Sequence, residues 1–267
     1  MVKPIICFDL DGTLVDEDGR IHPRDIEILR TEERVTFIPA TGRPRRAIRQ
    51  VFERNDLFSK RQIPLPMILQ NGAVLYKSDE KLHIVNSFTS ETQAMLLKIA
   101  QNHAHIASKW FTPEQIYVQS LNDRALKMAH RYDLDLQPFS QAPESCEFIK
   151  VTFTADSAES LQPLKAATSD LWVERYFSIP EILEINAPGV GKGQMLAVLK
   201  AELEWQDAPT FVAGDGENDL SLFEQAAIAF CPDSCPATIK SYADEVIDVK
   251  EAGLFTPILK RIFYDYI

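Results

Sequence analysis

Asp9 and Asp11 stand two residues apart in FDLDGTL, directly after the apolar run Ile5-Ile6-Cys7-Phe8. Such a run reads as a buried strand, and residues i and i+2 of a strand lean the same way. Two carboxylates about 5 Å apart repel by roughly 3 kcal/mol at an effective dielectric of about 20. A bound cation would cancel that cost. Three other polar groups punctuate the chain. Thr41-Gly42-Arg43 follows the apolar stretch VTFIPA, GVGKG with Lys192 opens a helical pattern, and GDGEND carries Asp215, Asn218 and Asp219 at the end of the strand-like TFVAGD. Singly, each has a plain explanation: Asp-Gly pairs make turns, Thr41 caps, and Lys192 is a surface lysine. Jointly they suit phosphoryl transfer. Asp9, Asp11 and Asp215 offer hard oxygen ligands for Mg2+, while Thr41, Lys192 and N–H groups at helix N-termini can hold a phosphate. No Ser, Cys or His nucleophile pattern competes, so an aspartate is the candidate nucleophile.

Rival motifs fail on detail. A calcium loop read from Asp9 or from Asp16 needs a glycine where Leu14 or Ile21 stands. GVGKG lacks the first glycine of a P-loop and has Gly193 in place of its Ser/Thr, and GDGEND has Asp219 where a dinucleotide fingerprint needs a small residue.

The elements that must position these groups alternate. The strand ending at Asp9 precedes RDIEIL, a short helix with Ile26 and Leu29 on one face. VTFIPA is a strand, followed by a helix carrying Ala47, Ile48, Val51 and Phe52, then the strand MIL and an Asn71-Gly72 hairpin turn into AVLY. From Gly189 the same style resumes, with a helix bearing Leu196, Leu199 and Leu203, the strands TFVAGD, AIAF and EVIDV, and a last helix with Phe255, Ile258, Leu259 and Ile262 on one stripe. Between them a helix with Met95, Leu96 and Ile99, paired strands (IASKWF with QIYVQS, LWVERY with EILEIN) and FIKVTFT suggest a separate α+β unit. The expected fold is α/β: a Rossmann-like, doubly wound parallel sheet built from residues 1–80 and 187–267, interrupted by an α+β insert over 81–186. Ligands of such sheets bind beyond the carboxyl ends of the strands.

The chain has 267 residues, 45% hydrophobic and 25% charged, the balance of a globular protein. A net charge of −11 argues against nucleic acid or a membrane surface as partner. Four scattered cysteines make no disulfide framework, and Cys231 and Cys235 in CPDSCP lack the second pair that a zinc site needs. No apolar run approaches a membrane span, and Asp9 interrupts any signal peptide, so a reducing cytoplasm is the expected location. Arg45, Arg46 and Arg49 read as a solvated helix face, Arg43 is balanced between that and an anion contact, and Lys150 reads no differently from an exposed strand lysine.

FDLDGTL, Thr41-Gly42-Arg43, Lys192 and GDGEND resemble, in order, the four motifs of haloacid dehalogenase-like (HAD) phosphatases. GDGEND with Asn71-Gly72 and GKG is similar to the Cof-type subfamily, whose relatives include sucrose-phosphate phosphatases and phosphomannomutases. The resemblance implies that Asp9 attacks phosphorus and forms an aspartyl-phosphate. Asp11 protonates the leaving oxygen and then activates water. Mg2+ is held by Asp9, the Asp11 carbonyl and Asp215, with Asp219 supporting the metal shell. Thr41, Lys192 and Asn218 contact phosphate, with Gly42, Arg43 and Asn71 beside them. It also implies an inserted α+β cap of type 2 that closes over the substrate. FCPDSCPAT (230–238) departs from the glycine- and asparagine-containing loop usual after the last motif. The expected activity is Mg2+-dependent hydrolysis of small phosphorylated metabolites, sugar phosphates foremost. A phosphomutase on the same core is the alternative. A phospho-receiver fits less well, because it places its acidic pair and its phosphorylated Asp on different strands.

Overall fold

The computed structural model describes residues 2–57, 66–77, 81–132 and 134–265. In chain order the elements are β1 (Ile5–Phe8), α1 (Pro23–Thr31), β2 (Thr36–Pro39), α2 (Arg45–Arg54), β3 (Met67–Leu69), β4 (Val74–Tyr76), β5 (Leu82–Ile84), α3 (Ser90–Asn102), β6 (Ala107–Phe111) and β7 (Ile116–Ser120). Then come α4 (Asp123–Arg131), β8 (Leu136–Pro138), β9 (Lys150–Thr154), α5 (Ala158–Ala167), β10 (Glu174–Ile179), β11 (Ile182–Asn186), α6 (Lys192–Glu202) and β12 (Thr210–Ala213). Last are α7 (Leu220–Phe223), β13 (Ile228–Pro232), α8 (Ala237–Lys240), β14 (Glu245–Ile247), α9 (Val249–Ala252) and α10 (Phe255–Asp265). No described helix is long and apolar enough to cross a membrane.

The chain divides into two compact units, one of residues Met1–Arg43, Ile48–His83 and Gly191–Ile267, the other of Pro44–Ala47 and Ile84–Val190. The first holds a five-stranded sheet in the order β14-β13-β12-β1-β2, parallel throughout. Its central strands are buried on both faces, which is why they read as continuous apolar runs. The chain runs outward from β1 to β2 in one direction and from β12 to β14 in the other. The order therefore reverses between β1 and β12, the place where doubly wound sheets open a crevice. A separate three-stranded sheet, β3-β4-β5, stands beside this one, linked by an isolated bridge from Ala40 to Ile68. The second unit carries a six-stranded sheet ordered β10-β11-β9-β6-β7-β8, antiparallel except for β7 against β8.

Four local expectations are corrected. On α1 the most deeply buried side chain is Asp25, not Ile26. Its carboxylate accepts from the Leu254 and Phe255 N–H groups at 2.7 and 2.8 Å and so caps the start of α10. Met95 on α3 is exposed, the buried stripe being Leu96 and Ala100, and Leu203 lies past the end of α6 and is exposed. Lys150 is buried.

Candidate active site

Asp9 leaves β1 at the reversal point, its N–H donating to Ala213 O of β12 at 2.9 Å. The chain then turns tightly: the Leu10 carbonyl accepts from Leu14 and Val15 at 3.0 and 2.7 Å. Gly12 takes φ +81°, and a Cβ there would lie 2.2 Å from Asp215 Oδ2, so glycine alone lets Asp215 approach. Thr13 Oγ1 donates to Asp215 Oδ1 at 3.2 Å and ties the first turn to the last.

Lys192, the first residue of α6, is fully buried and bridges two carboxylates, with Nζ 2.5 Å from Asp9 Oδ1 and 2.6 Å from Asp219 Oδ1. The other Asp219 oxygen accepts the backbone N–H groups of Asp215 and Gly216, both at 3.0 Å. Asp219 thus clamps the loop after β12 while anchoring the lysine. Oxygens of Asp9, Asp215 and Asp219 all lie within 4.8 Å of one another.

The loop after β2 closes the other side. Thr41 is buried, its Oγ1 accepting from the Arg43 N–H at 3.1 Å. Arg43 reaches back to Asp11 with a two-bond fork, Nε to Oδ2 at 2.7 Å and Nη2 to Oδ1 at 2.5 Å. The 3-10 turn at Gln70–Gly72 packs against this loop, Asn71 N–H donating to Thr41 O at 2.9 Å. Asn71 sits at φ +60°, an uncommon conformation for a residue with a side chain. Its Oδ1 accepts from Asn218 Nδ2 at 3.2 Å and would lie 3.0 Å from a Cβ at Gly42. The structure therefore brings Asp9, Asp11, Thr41, Gly42, Arg43, Asn71, Lys192, Asp215, Asn218 and Asp219 to one end of the parallel sheet. Cys231 and Cys235 are buried free thiols, and among the described residues no metal-ligand grouping includes them.

Two supporting contacts carried no motif. Thr13 was legible only as part of a turn. Ser221 Oγ accepts the Gly193 N–H at 3.1 Å, and a Cβ on Gly193 would lie 1.8 Å from Ser221 O, so α6 and α7 cross at contact distance. Nothing in a lone serine announces that role.

The electrostatics point to a cation. Burial drives the Asp9 carboxyl well above its usual range; Lys192 opposes this, and Asp219, Asp215 and Asp11 add to it. Burial and then Asp219 push Asp215 up to about 7. Burial alone would lower Lys192, but Asp219 and Asp9 outweigh it and hold the ammonium above its usual range. Three carboxylates cluster here, and the one ammonium bonds Asp9 and Asp219. A compact set of carboxylate oxygens is the donor chemistry that Mg2+ takes, so the residues present fit that ion.

A family model described as haloacid dehalogenase-like hydrolase matches residues 6–255. A phosphoglycolate phosphatase of Sulfurisphaera tokodaii is 24% identical, with 98% of this chain and 95% of the relative covered. A pyridoxal phosphate phosphatase of Escherichia coli is 24% identical over 92% of this chain and 94% of its own. Among solved structures, a sugar phosphatase of HAD subclass IIB superposes with a TM-score of 0.82 at 22% identity, covering 97% of this chain and 98% of that one. At that identity the likeness speaks for the fold. With the family model spanning every site residue from Asp9 to Asp219, the chain belongs to the haloacid dehalogenase-like hydrolases, in their Cof-type branch.

Proposed function

We propose that the chain is a Mg2+-dependent phosphatase of small phosphorylated metabolites, sugar phosphates foremost, working through an aspartyl-phosphate on Asp9. The observation that carries this reading is the cluster of Asp9, Asp215 and Asp219, with the buried Lys192 ammonium joining Asp9 to Asp219 and Asp11 on the same strand end as Asp9. Bound magnesium would supply positive charge that keeps Asp9 ionised and draws density from the phosphoryl oxygens; Asp9, Asp215 and the Asp11 carbonyl would hold it, with Asp219 behind them.

An oxygen of Asp9 attacks phosphorus while the bond to the leaving oxygen breaks, and Asp11 delivers a proton to that oxygen. In the second half Asp11 takes a proton from water as the water oxygen attacks the aspartyl-phosphate, and the phosphorus–Asp9 bond breaks to release phosphate. Both oxygens of Asp11 are engaged by Arg43, so proton delivery requires part of that fork to open. Thr41, Lys192 and Asn218 steady the phosphoryl oxygens, with Gly42 and Asn71 shaping the loop beside them. The insert over 81–186 is the cap, which excludes water and sets the choice of substrate.

The relatives named as phosphatases of phosphoglycolate and pyridoxal phosphate, and the sugar phosphatase of like fold, support small phosphorylated molecules as the substrate class. The test is phosphate release across sugar phosphates, nucleotides and cofactor phosphates, with and without Mg2+, for wild type and Asp9→Asn. Loss of about three orders of magnitude in kcat, some 4 kcal/mol of barrier, is expected. Undiminished release from Asp9→Asn removes the nucleophile. Isomerised sugar phosphate in place of free phosphate indicates a mutase.

A further inference from the structure

Strand alternation gives the sheet of the second unit two faces, because residues opposite one another on antiparallel neighbours share a side. One side of β6, β9 and β11 carries Trp110, Val151, Phe153, Leu183 and Ile185, all buried and apolar, which is an ordinary core face. On the other, Lys109 lies opposite Thr152, which lies opposite Glu184, and the next row is Phe111, Lys150 and Asn186. None of these six is more than 8% exposed. A buried strand face with two lysines on it needs an account.

Their partners do not supply one. Lys150 Nζ lies 3.1 Å from Glu184 Oε2 and 4.4 Å from the centroid of the Phe111 ring. Glu174, across from Asn186 on β10, is exposed and accepts the Gly189 N–H. No hydrogen bond or ion pair to another described residue reaches Lys109, which is 4% exposed. Burial and the charge of Lys150 push its ammonium down to about 8, against the pull of Glu184, so it is still mostly charged at neutral pH. Three more polar atoms on the same face lack partners: Thr152 Oγ1, Thr154 Oγ1 and Asn186 Oδ1. One N–H of the Asn186 amide donates to Tyr176 OH at 2.5 Å, and the amide oxygen, which can only accept, has no partner among the described residues. Buried polar groups are satisfied in the great majority of cases. A lone buried ammonium is costly unless it is paired. Lys109 and Lys150 are diagonal neighbours on adjacent strands, roughly 7–8 Å apart at the backbone, a span that two long side chains can close around one anion.

We propose that this face binds the anionic end of a polyhydroxylated metabolite, a carboxylate or a second phosphate held by Lys109 and Lys150, with Asn186 and Thr152 taking its neighbouring hydroxyls. The anion supplies the charge that Lys109 lacks, and a hydroxyl supplies the donor that Asn186 Oδ1 lacks. As a statement of substrate choice this rests on the phosphatase reading above; as a binding site it does not.

Two probes separate these. 6-Phosphogluconate and sorbitol 6-phosphate share a six-carbon chain and a phosphate, and differ at the far end by carboxylate against alcohol. Wild type is expected to favour 6-phosphogluconate at least tenfold in kcat/KM. Lys109→Met should bring that ratio near one, and Lys109→Arg should keep most of it. Gluconate, titrated calorimetrically into the full chain, reads the site without turnover. If the two phosphates are hydrolysed alike but gluconate binds wild type at least tenfold tighter than Lys109→Met, the site stands with a free acid as its ligand. An unchanged ratio together with equal or absent gluconate binding in wild type and variant overturns the proposal. If neither phosphate is hydrolysed, the phosphatase reading is what suffers and the gluconate titration decides the site. Should Lys109→Met fail to fold, Asn186→Ala, which removes the acceptor together with the bond to Tyr176 OH, must lower the affinity for gluconate.

Discussion

Both oxygens of Asp11 lie in the fork of Arg43, and that contact gives the arginine a role its position in the sequence left balanced. A guanidinium fixes a carboxylate in plane and direction, which an ammonium on a flexible stem does not. Arg43→Lys keeps the charge and loses the fork. We expect kcat to fall about ten- to a hundredfold, as small misplacements of a reacting group do, with the melting temperature little changed. A variant that keeps wild-type kcat would reduce Arg43 to a surface ion pair. That the motif aspartates, Thr41 and Lys192 gather at one end of the parallel sheet was legible, because each follows or opens an element whose end could be read from the sequence. The partner of Arg43 was not, since nothing in Asp11 or Arg43 alone states that two loops meet.

Among elements, α6 is placed by the absence of a side chain. A methyl on Gly193 would lie 1.8 Å from Ser221 O, so Gly193→Ala must push α6 from α7 and carry Lys192 with it. Overpacking of this kind costs about 1–3 kcal/mol, which urea unfolding measures, and phosphatase activity should fall along with it. The join of α1 to α10 is the other element-scale device. Asp25 is buried and its carboxyl is raised above the ordinary 3.8, by desolvation first and against the two backbone N–H bonds. A raised carboxyl favours the fold in its protonated form. The stability that Asp25 adds relative to Asp25→Asn is therefore full below about pH 3.8 and fades as pH climbs through the raised value. Paired denaturant titrations at pH 3.5, 5 and 7 should show the gap between the two proteins shrinking with pH; a widening gap would refute the assignment. Helices and strands of the core were legible from their 3.6- and 2-residue periods. The burial of Asp25 and of Lys150 was not, because periodicity marks apolar stripes and gives no sign when a cap or a ligand face recruits a charge.

For the molecule as a whole, the cluster of Asp9, Asp215 and Asp219 should make stability depend on divalent cation. Magnesium at a hundredfold excess over its Kd should add about 2.7 kcal/mol, roughly 5–10 °C in the melting temperature of a body this size. The shift should be smaller at pH 6 than at pH 8, since Asp215, pushed up to about 7, must shed a proton to bind. Asp215→Asn should abolish it, and an equal shift in that variant would place the ion elsewhere. The division of the chain into an α/β body and an inserted α+β segment was visible as a change of style along the sequence. What the six-stranded sheet buries on its polar face was not, because it depends on which strands become neighbours.

The sheet order also sets a timetable for synthesis. Ile5 pairs with Thr210 and Phe8 with Ala213, so the strand that presents Asp9 leaves the ribosome long before the neighbour that flanks it. The insert, by contrast, has all its strands in hand once Asn186 emerges. During that interval β1 and β2 form a bare apolar ribbon with an open edge, the kind of surface that chaperones shield and that aggregates when left alone. A nascent chain arrested before Thr210 should therefore carry a folded insert and a protease-sensitive amino-terminal segment, with Asp9 and Asp11 made but Asp215 and Asp219 still missing.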